Sequence, residues 1–155
     1  RQYHLVEERM TWTEAQSYCR QHYTDLATVT SEEDVVKLND ALGSYRSEVV
    51  WIGLYDGINN WKWSLQNKNY YGEGEAEFRM WGGGQPNNGY LDEYCVAMNR
   101  EGQWLDYRCS DRFPFICYNG LCNSEILSIQ YLQKTISHWP YYFAAWRMKS
   151  LFLLI

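Results

Sequence analysis

Long apolar runs, clustered positive charge and catalytic signatures are all missing from this 155-residue chain. A membrane-spanning helix needs about 20 consecutive apolar residues. The most apolar stretch, near the C-terminus, is cut by Arg147 and Lys149 into Tyr141–Trp146 and Leu151–Ile155. Membrane attachment would therefore need a missing or truncated anchor. Fourteen Lys and Arg face nineteen Asp and Glu, for a formal net charge of −5. Beyond residue 120 the basic residues are Lys134, Arg147 and Lys149 and the acidic one is Glu125, so residues 1–120 carry about −7. Binding to a phosphate backbone needs clustered cations, and nucleic acid is excluded as a partner. There is no Gly-x-Ser-x-Gly elbow and no His-Glu-x-x-His, and Gly82-Gly83-Gly84 lacks the Lys and the helix of a phosphate loop. The three histidines, His4, His22 and His138, have no evident nucleophile partner, and none stands at zinc-ligand spacing from a cysteine. No enzyme is expected. The chain opens on Arg1 with no signal peptide, which reads as a mature domain or a fragment.

What the chain does contain is aromatic and sulfur-rich. Eight Trp and fourteen Tyr supply a large core. Five cysteines fall at 19, 95, 109, 117 and 122, without a C-x-x-C pair. A disulfide framework is the better reading, and it places the chain in an oxidising, extracellular compartment.

Local signals give an order of elements. Gln2–Val6 alternates weakly, as an edge strand would. Thr11-Trp12-Thr13-Glu14 has the form of a capping box, and Ala15, Tyr18, Cys19 and His22 follow at helical spacing. Ser31-Glu32-Glu33-Asp34 opens a second helix with Val35, Leu38 and Leu42 on one stripe and Gly43 as its stop. Short strands are expected afterwards at Val49–Leu54, Asn60–Ser64, Tyr94–Asn99, Gln103–Asp106 and Phe113–Tyr118. Between Tyr70 and Tyr90 lie more than half of the eleven glycines, the mark of a long irregular loop. Trp51, Trp61, Trp63, Trp81 and Trp104 offer it an aromatic floor. Residues 1–120 read as one domain and 121–155 as a C-terminal extension that is disordered, truncated or an amphipathic arm.

The segment WGGGQPNNGYLDEYCVAMNREGQWLDYRCSDRFPFIC, residues 81–117, concentrates the chemistry. Gln85, Asn87, Glu93 and Asp106 bring side-chain oxygens near a turn proline and three cysteines. Carboxylates and amides held in that way suit a hard cation such as Ca²⁺. Blander roles stay open. Asp92-Glu93 suits a solvated turn, Asp106 suits bonds to backbone N–H groups, and Gln85-Pro86-Asn87 suits a tight turn with a cis bond.

Cys19, Trp51-Ile52-Gly53-Leu54, Trp61-Lys62-Trp63-Ser64, Gln85-Pro86-Asn87, Cys95, Trp104-Leu105-Asp106, Cys109 and Cys117 match in order and spacing the landmarks of one family. Through residues 1–118 the chain resembles the C-type lectin-like domain. The resemblance implies an α+β fold of two helices and two small antiparallel sheets, with a long loop region and two disulfides. The implied pairs are Cys19–Cys117 and Cys95–Cys109, leaving Cys122 free or bonded to another chain.

Sugar-binding members of that family hold Ca²⁺ and the sugar hydroxyls with the same side chains. Carried over, the metal and carbohydrate ligands become Gln85, Asn87, Glu93 and Asp106. Leu105 stands where an oxygen-bearing ligand is expected, so one metal ligand and one sugar contact are lost together. For an auxiliary calcium site Asp56, Asn60 and Asn88 are available, but Tyr94 replaces an expected acid. Gln85-Pro86-Asn87 carries an amide on both sides of the proline and matches neither the mannose-type nor the galactose-type pattern. Tyr90 and Tyr107 could offer a ring face to a sugar. The implied function is a non-enzymatic extracellular recognition module that binds glycans or glycoproteins with help from Ca²⁺ at a degenerate site, whether secreted or as the ectodomain of a membrane receptor. The rival is a calcium-independent domain for protein ligands.

Overall fold

A computed structural model describes residues 2–45, 49–56 and 60–120. The two helices form where the chain supplies its own caps. The Thr11 hydroxyl accepts from the Glu14 N–H at 3.3 Å, and the Glu14 carboxylate accepts from the Thr11 N–H at 2.9 Å. That reciprocal pair opens α1, Trp12–His22. Ala15 and Cys19 face inward and are fully buried, whereas His22 is exposed, one turn past the buried stripe. In α2, Glu32–Leu42, the Ser31 hydroxyl accepts from the Asp34 N–H at 3.2 Å. The Asp34 carboxylate in turn accepts from the N–H and the hydroxyl of Thr30 at 3.0 and 2.8 Å, one residue farther back than the expected box. Glu32, Glu33 and Asp34 set three acids against the positive end of the helix dipole. Gly43 ends the helix at φ +53°, its N–H bonding the carbonyls of Asn39 and Asp40.

The described residues form seven strands, six of them in the expected order with boundaries shifted by a few residues. They are β1 (Gln2–Met10), β2 (Asp25–Leu26), β3 (Val49–Asp56), β4 (Trp61–Trp63), β5 (Glu93–Asn99), β6 (Trp104–Arg108) and β7 (Phe113–Asn119). β1 and β2 pair antiparallel with β7, while β4, β3, β5 and β6 form a second antiparallel group. The two small groups join where β3 runs parallel to β7, with Trp51 opposite Phe115. The resulting order is β1-β7-β3-β5-β6, with β1 at one edge. β1 extends past the expected Val6 by way of a register slip between Val6 and Met10. β2 was not foreseen: a two-residue strand carries no periodicity.

β3 is the hinge between two core layers. Ile52 and Leu54 pack with Leu38, Met98 and Trp104, whereas Trp51 packs with Phe115, Ala97 and the disulfide cysteines. Gly53 lies between them because no side chain fits: a Cβ there would sit 3.0 Å from the Ala27 carbonyl and 3.2 Å from that of Leu26. Buried Asp25 ties the layers, its carboxylate accepting from Ser64 Oγ at 2.5 Å, the Leu26 N–H at 2.8 Å and Arg20 Nε at 3.1 Å. Both disulfides have the implied pairing. Cys19–Cys117 staples α1 to β7, and Cys95–Cys109 clamps β5 to the turn after β6. The described residues belong to one compact unit, Arg1–Gly120. The expected extension 121–155, and Cys122 with it, lies outside the described residues. Among the described residues no helix is long and apolar enough to cross a membrane.

Candidate functional site

The long loop between β4 and β5 is shaped by two short 3-10 turns, Lys68–Tyr70 and Glu75–Glu77, and by a cis Gln85–Pro86 bond. Its aromatic floor is built from four of the five expected tryptophans. Trp63 and Trp104 meet edge-on at 5.6 Å, Trp61 and Trp81 at 5.0 Å, and Trp81 and Trp104 at 6.1 Å. Trp51 is the exception: it sits in the other core layer against Phe113 and Tyr107. Phe78, absent from the sequence reading, joins the floor at 5.9 Å from Trp104.

On this floor Asn87, Glu93 and Asp106 come together through the backbone of the Asn87–Gly89 turn. β6 alternates, so Trp104 and Asp106 are buried while Leu105 and Tyr107 are only half-buried. The Asp106 carboxylate accepts from the Asn87 N–H at 3.1 Å and from the Asn88 N–H at 2.6 Å. The Gly89 N–H is shared between Asn87 Oδ1 at 3.0 Å and Glu93 Oε2 at 2.6 Å. Asn88, at φ +45°, closes the ring by accepting from the Glu93 N–H at 3.0 Å. Two of the bland readings are thus partly realised: Asp106 does hold backbone N–H groups, and Gln85-Pro86 is a cis turn. Glu93 is no solvated turn, however, being only 7% exposed, whereas neighbouring Asp92 is exposed. Gln85 stands apart from this network. No hydrogen bond joins its side chain to the other three residues, and its Oε1 is buried without a donor among the described residues.

The charge balance of this cluster is unusual. Among the described residues neither Glu93 nor Asp106 takes part in an ion pair. Arg108 lies directly across the strand pair from Glu93, yet its guanidinium bonds Asp111 at 3.4 Å and covers the Tyr90 ring at 5.3 Å. Buried carboxylates are costly unless paired or bound to a metal. Hydrogen bonds from three N–H groups offset part of that cost, and each oxygen keeps a lone pair. By chemistry the two carboxylates, outside any ion pair among the described residues, and the Asn87 amide oxygen make a set of hard donors of the kind Ca²⁺ takes, and the Gln85 carboxamide, not bonded to them, is a donor of the same kind. No group of three or more His, Cys, Asp and Glu able to hold a metal occurs among the described residues; the amides are needed to complete the set. Leu105, paired with Ala97 on β5, adds no side-chain oxygen. Of the auxiliary candidates, Asp56 accepts from the Asn60 N–H at 2.9 Å, while Asn88 is committed to Glu93.

Sequence reasoning offered Tyr90 as a ring face but missed that Leu91 and Tyr94 join it in an apolar rim beside the cluster. Tyr90, Leu91 and Tyr94 are 74%, 79% and 44% exposed, and Leu91 is held at φ +63°. Their proximity depends on the loop's path and leaves no periodic trace. Tyr107, expected as a possible sugar platform, packs against Trp51 and Phe113 instead, with ring centroids 6.3 and 5.0 Å apart.

Comparison with known proteins gives a consistent result. The model of the Lectin C-type domain matches residues 8–119. Human E-selectin is 36% identical over 131 residues, 81% of this chain and 21% of its own length. Rat L-selectin is 33% identical over 128 residues, 79% of this chain and 33% of its own length. The chain therefore spans about a fifth to a third of these relatives. Human lithostathine superposes with a TM-score of 0.64 at 27% identity, covering 74% of this chain and 80% of that one. The carbohydrate-recognition domain of the mouse scavenger receptor C-type lectin gives 0.61 at 27% identity, with 74% and 86% covered.

Proposed function

The chain belongs to the Lectin C-type domain family, and on that premise we propose that residues 1–120 form a recognition module acting outside the cell. Its ligand is a glycan or glycoprotein, bound through sugar hydroxyls at a cation-assisted site of Gln85, Asn87, Glu93 and Asp106. The observation that supports this best is the pair of buried carboxylates, Glu93 and Asp106, without a cationic partner among the described residues. When bound, Ca²⁺ would neutralise both carboxylates and offer open coordination positions to sugar oxygens. This chain's own residues do the rest. Asp106 fixes the turn that presents Asn87. Asn87 and Gln85 can each donate and accept, so they bond either the lone pair or the O–H of a hydroxyl, and this pair of amides selects no single monosaccharide. Leu105 removes one oxygen, so the account places Ca²⁺ affinity in the millimolar range of extracellular modules. Two disulfides suit that compartment. The site offers recognition rather than catalysis.

The test is binding to an immobilised glycan panel in Ca²⁺ and in excess EDTA. Selective loss in EDTA supports the reading, and undiminished binding contradicts it. One observation favours a second reading, a calcium-independent site for a protein ligand: Tyr90, Leu91 and Tyr94 stand exposed beside an incomplete ligand set. Under that reading Glu93→Ala leaves partner binding nearly intact.

A further inference from the structure

A different cluster of charge lies at the start of the same long loop. Trp61, Lys62, Lys68, Tyr71 and Arg79 help to line an open cleft of about 250 Å³. Residues 1–120 contain three lysines. Lys37 is paired with Glu33 at 2.7 Å, whereas Lys62 and Lys68 are exposed and in no ion pair among the described residues. Arg79 lines the cleft with them. Its guanidinium donates to the carbonyls of Ala76 and Phe78, both at 2.7 Å, and of Trp61 at 3.2 Å, and it lies 5.8 Å from the centre of the Trp63 ring. Those acceptors orient the fork but bring no formal charge. Burial pushes the Arg79 pKa down, with Glu77 opposing the shift, so solvent is partly withheld from a cation that no carboxylate among the described residues bonds. Glu77 is the one acid lining the cleft, and it is exposed. Three cations against one acid make a positive spot on a unit that carries about −7 overall.

We propose that this cleft is a second binding site, independent of any metal, for an anionic saccharide: one sulfated or uronic-acid ring of a longer glycan. Lys62, Lys68 and the free edge of Arg79 would take the anionic groups, as charge-assisted hydrogen bonds require. Trp61 and Tyr71, half-buried rings that line the cleft, would give an apolar sugar face an aromatic surface to pack against. The volume is below the roughly 300–1,000 Å³ of pockets that engulf a drug-sized ligand. It suits one ring of a polymer that continues into solvent. The aromatic rings favour a saccharide over an acidic peptide, which would need the cations alone. Nothing here depends on the cation-assisted site, because none of its residues lines the cleft.

The experiment measures binding of the full chain to a sulfated, uronate-containing tetrasaccharide in EDTA at low ionic strength. Binding is expected to persist in EDTA, to weaken steeply as salt screens it, to weaken with the desulfated probe, which keeps only its uronates, and to vanish with a neutral tetrasaccharide. Lys62→Ala and Lys68→Ala are each expected to lower affinity up to about fivefold, the scale of a partly screened charge contact. Both lysines are exposed and unpaired, so unchanged melting temperatures show that the variants fold. Glu93→Gln is expected to change nothing. Indifference to both lysine variants overturns the proposal, as does loss of binding in EDTA. Equal competition by an acidic peptide of the same charge also overturns it, since the cleft would then read charge and not sugar.

Discussion

Replacing Asp106 with alanine removes two hydrogen bonds at once, because its carboxylate takes the N–H groups of both Asn87 and Asn88. A bond to a charged acceptor contributes about 1.5–3 kcal/mol. Asn87 is exposed and Asn88 half-buried, so water recovers part of each bond, and the low end applies, about 3 kcal/mol for the pair. Against this, alanine relieves the desolvation of a carboxylate that is only 4% exposed and has no ion-pair partner among the described residues. A net loss of about 2 kcal/mol in EDTA follows from setting that relief against the bonds. With a urea m-value of about 1–3 kcal/mol/M, the midpoint should fall by about 1 M. Asp106→Asn keeps one acceptor oxygen and should lose about half as much. Hydrogen exchange gives the local readout: the amides of Asn87 and Asn88 should be protected in the native chain and exchange freely in Asp106→Ala. An unchanged midpoint with both amides still protected would refute the assignment of Asp106 as the tether of this turn.

Three further outcomes are expected. Gly53→Ala forces a Cβ to within 3.0 Å of the Ala27 carbonyl, so denaturation should show a loss of about 1–3 kcal/mol from overpacking. Removing Cys95–Cys109 by a double alanine change opens a loop of sequence separation 14, which should cost about 3 kcal/mol. The same change should weaken Ca²⁺ binding, since it frees β5 from the turn after β6. The Glu14 carboxyl is held below its usual pKa of 4.5, first by the Thr11 N–H and hydroxyl and then by Arg112. A depressed carboxylate stabilises the fold above its unfolded pKa and loses that contribution as pH falls through the folded value. The melting-temperature gap between wild type and Glu14→Gln should therefore be full near neutral pH and close in acid as pH falls below 4.5.

The parts of the fold that were legible in the sequence are those specified locally. Thr11 with Glu14, Ser31 with Asp34, and Gly43 each carry their signal within four residues, and both helices lie where those signals place them. Strand positions followed from punctuation by Gly and Asn, but the union of the two antiparallel groups at Trp51 and Phe115 depends on a contact between distant segments. The aromatic floor shows the same limit: Trp51 and Trp63 look alike in the sequence, yet alternation along β3 sends Trp51 to the other layer. At the candidate site, residue type and the family resemblance nominated Asn87, Glu93 and Asp106, and hydrogen bonds within one turn join them. Spacing could not reveal that Asn88 closes the ring, because its role rests on a positive φ set by the turn. Gln85 was grouped with the others, yet its carboxamide is not bonded to them. Lys62, Lys68 and Arg79 went unremarked as a group, since two 3-10 turns are needed to bring them to one cleft.

The central proposal is that Glu93 and Asp106 are buried without a cationic partner among the described residues because their role is to hold a divalent cation. Calorimetric titration of Ca²⁺ into the full chain tests it most directly, with Glu93→Gln and Asp106→Asn as controls. The account predicts saturable binding at millimolar Ca²⁺ or tighter, lost or strongly weakened in both variants. No binding at several millimolar, or equal binding by wild type and both variants, would contradict it.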